Sequence, residues 1–257
     1  MSSAQLTFKR YETKYLLNAD QRSRLESLFA HTMVEDEHGP STVRNVYYDT
    51  PTALLARRSA EHPLYKEKIR MRCYGEPHPY DPVFVEIKKK ADGVVYKRRA
   101  QLPPADAIEL LAGRGHPQTQ IEREIDWTAR RYEGLRAMAY LAYDRLAYFS
   151  PTDRDFRLTL DRDVRVRWDD VRLAGPDEGE AVLDPGTSIL EVKTCGGMPL
   201  WLVDELSAMG LRKTSVSKYG RAWQMRGIDQ VIARQPQMVA VRNAAPSHLA
   251  PVFQTVA

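Results

Sequence analysis

Strict alternation of charged and apolar side chains along Tyr65–Tyr74 constrains this chain more than any other feature. Lys66, Lys68, Arg70 and Arg72 occupy the even positions, and Tyr65, Glu67, Ile69, Met71 and Cys73 fall between them. Successive side chains of a β-strand point to opposite faces, so the spacing predicts a strand with one cationic row and one mostly apolar row. Taken alone, that is an ordinary half-buried strand with its charges in water. Recurrence argues for more.

The same pattern returns along the chain. Residues 83–90 set Phe84, Glu86, Lys88 and Lys90 against Val83, Val85, Ile87 and Lys89. Residues 94–102 put Lys97, Arg99 and Gln101 on one face, with Val94, Tyr96 and Arg98 on the other. Arg157, Thr159 and Asp161 oppose Phe156, Leu158 and Leu160; Glu191 and Lys193 oppose Leu190 and Val192; Arg10, Glu12 and Lys14 oppose Tyr11, Thr13 and Tyr15. Strands of this kind build either an open sheet with a basic surface or a closed barrel with a charged lumen and outer helices. Carboxylates within the charged rows, Glu86 beside Lys88 and Glu191 beside Lys193, favour the lumen, where each finds a cation or a metal. The expectation is a closed β-barrel in one α+β domain.

Composition narrows the function classes. The chain has 257 residues, enough for one large domain, here 1–232, followed by a weakly periodic tail over 233–257 with Pro236, Pro246 and Pro251. Lys+Arg 38 against Asp+Glu 34 is too balanced for a nucleic-acid coat, so the basic character acts by placement. Cys73 and Cys195 follow no metal-ligand spacing and suggest a reducing compartment. No apolar run approaches the roughly 20 residues that span a bilayer, and the N-terminal residues lack a signal-peptide pattern. A cytoplasmic protein without a membrane segment is expected.

Between the strands, Asn18 caps a helix over 19–31, 52–60 is a short helix or loop, and 103–112 is a helix with proline near its start. Residues 130–143 read as helical, 144–149 as the start of a strand, and 169–186 as a long loop. Helices follow over 199–209 and 215–224. No phosphate-binding glycine loop, nucleophile elbow or zinc-protease motif is present. The six histidines fall in helix ends, loops or the tail and read as surface residues, and Cys73 falls on the apolar face of its strand. What remains is a lumen lined with Lys and Arg and a few carboxylates, a cavity that suits a long polyanion. A carboxylate there can hold a divalent metal that bridges phosphate oxygens, and phosphoryl transfer needs little beyond positioning and charge neutralisation.

The runs FKRYETKYLL at 8–17, YYDT at 47–50, KIRMRCYG at 68–75, VEIKK at 85–89, YDRLAY at 143–148, RLTLD at 157–161, ILEVK at 189–193, PLW at 199–201 and SKY at 217–219 resemble the VTC domain. That is the polyphosphate polymerase domain of vacuolar transporter chaperone complexes and their stand-alone relatives, within the triphosphate tunnel metalloenzymes. The resemblance spans about residues 8–224. It implies an eight-stranded antiparallel tunnel that adds the terminal phosphate of ATP to a growing polyphosphate chain with Mn2+ or Mg2+. It also implies phosphate-binding cations at Lys14, Arg70, Arg72, Lys88, Lys97, Arg145, Arg157 and Lys218, with a metal ligand at Glu191 and Lys193 beside it. Within that set Arg70, Arg72, Lys88 and Lys218 are the expected catalytic group, and Arg99 joins the substrate-binding row. An arginine before the Arg70 strand is expected at Arg57 or Arg58. A further basic contact near the Ser-Lys pair falls at Ser215, with Lys213 close by.

Other residues read as structural. Glu86 reads as an ion-pair partner of Lys14 or Lys88, and Asp161 as the group that orients Arg157. Glu12 is either a second metal ligand or an ion-pair partner. Tyr47, Tyr48, Tyr143 and Tyr148 read as barrel packing and Trp201 as core. Two alternatives to the polymerase stand: a tripolyphosphate or nucleoside triphosphate hydrolase, and a non-catalytic polyanion-binding module.

Overall fold

The computed structural model describes residues 11–37, 39–61, 64–91 and 94–227, so the tail over 233–257 lies outside the described residues. The elements in chain order are β1 (Tyr11–Leu17), α1 (Ala19–Thr32), β2 (Val34–Glu35), β3 (Ser41–Asp49), α2 (Leu54–Ala60), β4 (Tyr65–Tyr74), β5 (Val83–Ala91) and β6 (Val94–Leu102). They continue with α3 (Pro104–Leu111), α4 (Gln120–Arg131), β7 (Arg136–Phe149), β8 (Arg157–Arg167), β9 (Glu180–Ala181), β10 (Ser188–Thr194), α5 (Leu200–Ala208) and α6 (Lys218–Arg226). Local chemistry starts α1 and α6 close to where they are expected. Asn18 and Gln21 form a reciprocal capping box on α1, and the Ser217 hydroxyl accepts from the Gly220 N–H at the start of α6.

Eight strands form one antiparallel path, β1-β10-β8-β7-β3-β4-β5-β6, with β2 and β9 paired to β7 and β8 off that path. The sheet curls into a half-barrel that is open, which corrects the expected closed barrel. Its end strands β1 and β6 do not pair among the described residues. The other edge of β1 instead takes a single bridge, Lys14 to Thr214, from the segment leading into α6. Side chains span the gap, where Lys88 Nζ on β5 lies 3.5 Å from Glu12 Oε2 on β1. Within the paired strands, β4, β5 and β6 bring Lys68, Lys88 and Lys97 directly opposite one another.

The pairing register gathers the charged rows on the concave face. Lys14 stands opposite Glu191, and Glu191 opposite Thr159; Arg70 stands opposite Glu86, and Glu86 opposite Arg99. The apolar rows face outward and are covered by helices. Ile69, Met71, Val85 and Ile87 pack with Leu110, Leu111 and Ile125 of α3 and α4. Leu158, Leu160, Leu190 and Val192 pack with Leu25 and Phe29 of α1 and Leu202 and Leu206 of α5. Each such fully buried side chain contributes about 1.5–3 kcal/mol of burial free energy.

A third cluster lies inside the curve. Between Ala142 and Asp144 the β7–β8 register shifts: one extra residue enters β8 around Asp163, whose φ is 50°. This bulge turns the inner row of β8 from Arg157, Thr159 and Asp161 to Val164 and Val166. The apolar floor so made, with Val43, Leu141 and Ile189, receives Tyr219, Ala222 and Trp223 of α6. Tyr219 stacks on Tyr47 with ring centroids 4.2 Å apart, and its hydroxyl donates to Asp49 at 3.2 Å. α6 therefore fills one end of the concave face, unlike the other long helices, which lie outside.

The expected helix over 130–143 is a correction. α4 ends at Arg131, and Arg136–Phe149 is one long strand between β3 and β8. Ala139 to Tyr143 are buried at every position, so that strand shows neither period. Residues 157–167 form one strand. Among the described residues no helix is long and apolar enough to cross a membrane.

Candidate functional site

Beyond the α6 plug, the concave face is polar and is organised around two carboxylate hubs. The first is Glu86 on β5, only 1% exposed. Arg70 on β4 donates to Glu86 Oε2 from Nε at 2.7 Å and from Nη2 at 2.6 Å. Lys97 on β6 reaches Oε1 at 2.8 Å, and Arg99 donates to the same oxygen from Nε at 2.5 Å. Burial would raise the Glu86 carboxyl, but Arg70, Arg72, Lys97 and Arg99 outweigh it and hold it far below the usual carboxylate range. The expected partners Lys14 and Lys88 are not its partners, because register places Arg70 and Arg99, not those lysines, on either side of Glu86.

The second hub pairs Glu191 on β10 with Asp161 on β8. Glu191 lies within 3.2 Å of Lys14 and 3.1 Å of both Lys193 and Lys218, with Arg145 at 3.6 Å. Asp161 accepts a two-pronged pair from Arg145 at 2.6 and 2.7 Å and takes Lys218 at 2.5 Å. Asp161 therefore orients Arg145 and Lys218, not Arg157. The Arg157 Nε turns to the carbonyl of Arg154 at 2.9 Å, and its side chain is exposed. Burial opposes ionisation of Glu191, yet Lys218, Lys193, Lys14 and Arg145 hold its carboxyl well below the usual range. Burial also opposes the charge on Lys218, and Asp161 and Glu191 reverse that and raise it.

Glu12 joins the two walls, 3.2 Å from Lys14 and 3.5 Å from Lys88. Burial and Glu191 raise its carboxyl, but Lys88, Lys14 and Lys193 bring it down to about 2. Arg72 is 4% exposed, and among the described residues it donates to neutral oxygens: Asn45 Oδ1 at 2.8 Å, the Tyr143 hydroxyl at 2.9 Å and the Tyr74 hydroxyl at 3.5 Å. Tyr47 and Tyr143 are more than packing. The Tyr47 hydroxyl accepts from Arg70 at 3.1 Å, and the Tyr143 ring lies under Arg145 and Lys218 at 5.1 and 4.6 Å.

Register brings Lys14, Arg70, Arg72, Lys88, Lys97, Arg99, Arg145 and Lys193 to one face, α6 adds Lys218 there, and the Arg157 side chain turns back to the Arg154 carbonyl. Arg57 is buried, donates to Thr52 at 3.3 Å and leaves its Nε unpartnered; Arg58 is half-buried. Lys213 and Ser215 are exposed. The described histidines, His31, His78 and His116, are exposed, and Cys73 is buried in the outer core. Sequence reasoning missed Asn45 and Ser217. Asn45 alternates in phase with Tyr47, which was a usable signal; the contact of Ser217 with Lys68 at 2.7 Å left none.

Among the described residues no three acidic, histidine or cysteine side chains gather around one metal-binding point. Glu191 and Glu12 nevertheless flank Lys14, and the buried hydroxyl of Thr159, opposite Glu191 in register, has no hydrogen-bond partner. These are hard oxygen donors. A Mg2+-type ion held by one or two carboxylates completes its shell on phosphate oxygens, so the donor set fits such an ion when phosphate is bound.

A family model described as the VTC domain matches residues 9–225. The chain belongs to the VTC-domain family. No curated protein matches the sequence. Among solved structures, a putative adenylate cyclase from Bacillus halodurans shares 14% identity at a TM-score of 0.50, covering 80% of this chain and 92% of its own. A putative adenylate cyclase from Vibrio parahaemolyticus shares 15% identity at a TM-score of 0.41, covering 83% and 96%. The Mimivirus capping enzyme triphosphatase shares 9% at 0.34, covering 77% and 87%. The first of these likenesses is one of fold.

Proposed function

We propose that this VTC domain is a polyphosphate polymerase that transfers the terminal phosphate of ATP to a polyphosphate chain lying along the concave face. The observation that carries the reading is the excess of cations on that face. Glu12, Glu86, Asp161 and Glu191 are shared among many more Lys and Arg side chains, so the empty site stores repulsion that a polyanion relieves. Family membership over residues 9–225 supports the same substrate class.

In this reading a terminal oxygen of the chain attacks the γ-phosphorus of ATP, the bond to the β,γ-bridging oxygen breaks, and ADP leaves with that electron pair. Lys14, Lys193 and Lys218 neutralise phosphate oxygens on the β1–β10 wall, and Arg70, held by Glu86 and Tyr47, presents its fixed fork from β4. Arg72, held by the oxygens of Asn45, Tyr143 and Tyr74, adds a second guanidinium from β4. Lys88, Lys97 and Arg99, on the more open β5–β6 wall, guide the chain. A divalent ion such as Mg2+ or Mn2+, held by Glu191 with Glu12, supplies further neutralisation of phosphate charge when bound. No general base is needed, because the attacking phosphate oxygen is already ionised.

The test is product analysis of the purified protein with ATP and manganese on a gel that resolves polyphosphate. The expected product is a ladder that lengthens with time, and Arg70→Lys, which keeps charge but loses the fork, lowers turnover by about tenfold or more with a smaller loss of binding. Release of orthophosphate without a ladder would move the reading to a hydrolase. Polyphosphate binding with no turnover would move it to a binding module.

A further inference from the structure

Lys68 is the odd member of the concave face. It stands directly opposite Lys88, which stands opposite Lys97, so three ammonium groups share one row across β4, β5 and β6. Lys88 has Glu12 at 3.5 Å and Lys97 has Glu86 at 2.8 Å. Among the described residues Lys68 has no carboxylate, and its Nζ donates only to Ser217 Oγ at 2.7 Å. The nearby carboxylates are committed elsewhere, Glu12 to Lys14 and Lys88, and Glu86 to Arg70, Lys97 and Arg99. The charges that act most strongly on Lys68 are positive, Lys88 from β5, Lys14 from β1, and Lys66 and Arg70 along β4, while Glu191 of β10 is taken up by Lys14, Lys193 and Lys218. From α6, Ser217 offers a neutral oxygen and the adjacent Lys218 another cation.

We infer that Lys68 is a proton-coupled phosphate ligand, only partly charged in the empty protein at neutral pH and fully protonated when a phosphate chain settles between it and Ser217. The inference rests on the reading of the concave face as a phosphate-chain site. Burial first, then Lys88, Lys14, Lys66 and Arg70, push the Lys68 ammonium down to about 7. A phosphate oxygen supplies the missing counter-charge, and solvent supplies the proton that turns the amine into an ammonium. Binding then takes up a proton, so affinity for the chain declines as pH rises above about 7, where the empty protein must first be protonated. Lys68 would set the pH window of the site, a role distinct from the permanently charged arginines beside it.

Calorimetric titration of the full chain with long-chain polyphosphate, at pH 8 in two buffers of different ionisation enthalpy, counts the protons taken up. The interior phosphates of that ligand remain ionised throughout. Lys66 and Lys97 are also lowered by burial and contribute to the total, so the diagnostic quantity is the difference between wild type and variants. Lys68→Met takes up close to one proton fewer and binds about tenfold or more weakly at pH 7. Lys68→Arg also takes up about one proton fewer but retains affinity at pH 8. The empty Lys68→Met protein unfolds at no lower temperature than wild type, because the cation it loses has no counter-ion. Proton uptake unchanged in both variants, or a marked loss of thermal stability in Lys68→Met, would overturn the role of Lys68 while leaving the polyphosphate site standing. Failure of wild type to bind polyphosphate would overturn both.

Discussion

Glu191 neutralises Lys14, Arg145, Lys193 and Lys218 together from a position that is 6% exposed. Removing one partner from such a buried group leaves charges that water cannot reach, at a cost of about 3–5 kcal/mol. Glu191→Gln should therefore unfold well below wild type at pH 7. A carboxyl held below its unfolded value contributes stability above the unfolded pKa and loses it as pH falls through the folded one. Because the cations around Glu191 depress it, the gap between wild type and Glu191→Gln should narrow as pH falls from about 5 towards 2. Thermal unfolding at several pH values checks this; a gap that stays constant would contradict it. At this scale the sequence showed which residues share a row, because charged and apolar side chains alternate cleanly in β4 and β5. It did not show partners. Glu86 meets Arg70, Lys97 and Arg99 because of cross-strand register, which pairs residues from three separate stretches of chain.

At the scale of elements, the helices differ in how much of their placement was legible. The ends of α1 and α5 were readable from Asn18 and Pro199. β7 was hidden because five consecutive residues, Ala139 to Tyr143, are buried on both faces and carry no period. α4 was missed although Thr119 and Glu122 carry a capping pattern. The seat of α6 had no local signal at all. An apolar helix face does not say which side of a sheet it covers, and the inner floor exists only because the bulge at Asp163 turns Val164 and Val166 inward. Ser217 holds the start of that helix through its cap. Ser217→Ala should cost about 0.5–2 kcal/mol of stability, measured by denaturant unfolding, with no loss of the fold. A change indistinguishable from zero would mean that the cap does not anchor α6.

At the scale of the whole molecule, a closed barrel and a half-barrel bridged by side chains make different demands on a ligand. Side chains bridge the walls where Lys88 meets Glu12 at 3.5 Å, and the proposed function lays a slender chain along the strands of the concave face rather than a broad one across them. Convergent cations on a curved face are also screened less than the same charges spread on a flat surface, where the Debye length is about 8 Å at physiological salt. The central claim is that the concave face is a site for a narrow phosphate chain. The measurement is ligand-dependent thermal stabilisation at moderate salt, with tripolyphosphate, long-chain polyphosphate and duplex DNA compared at equal phosphate concentration. A ligand at about 100 times its Kd stabilises by about 2.7 kcal/mol, enough for a clear shift. The account predicts that both polyphosphates raise the unfolding temperature strongly and that duplex DNA does not. Equal stabilisation by duplex DNA and tripolyphosphate would contradict it.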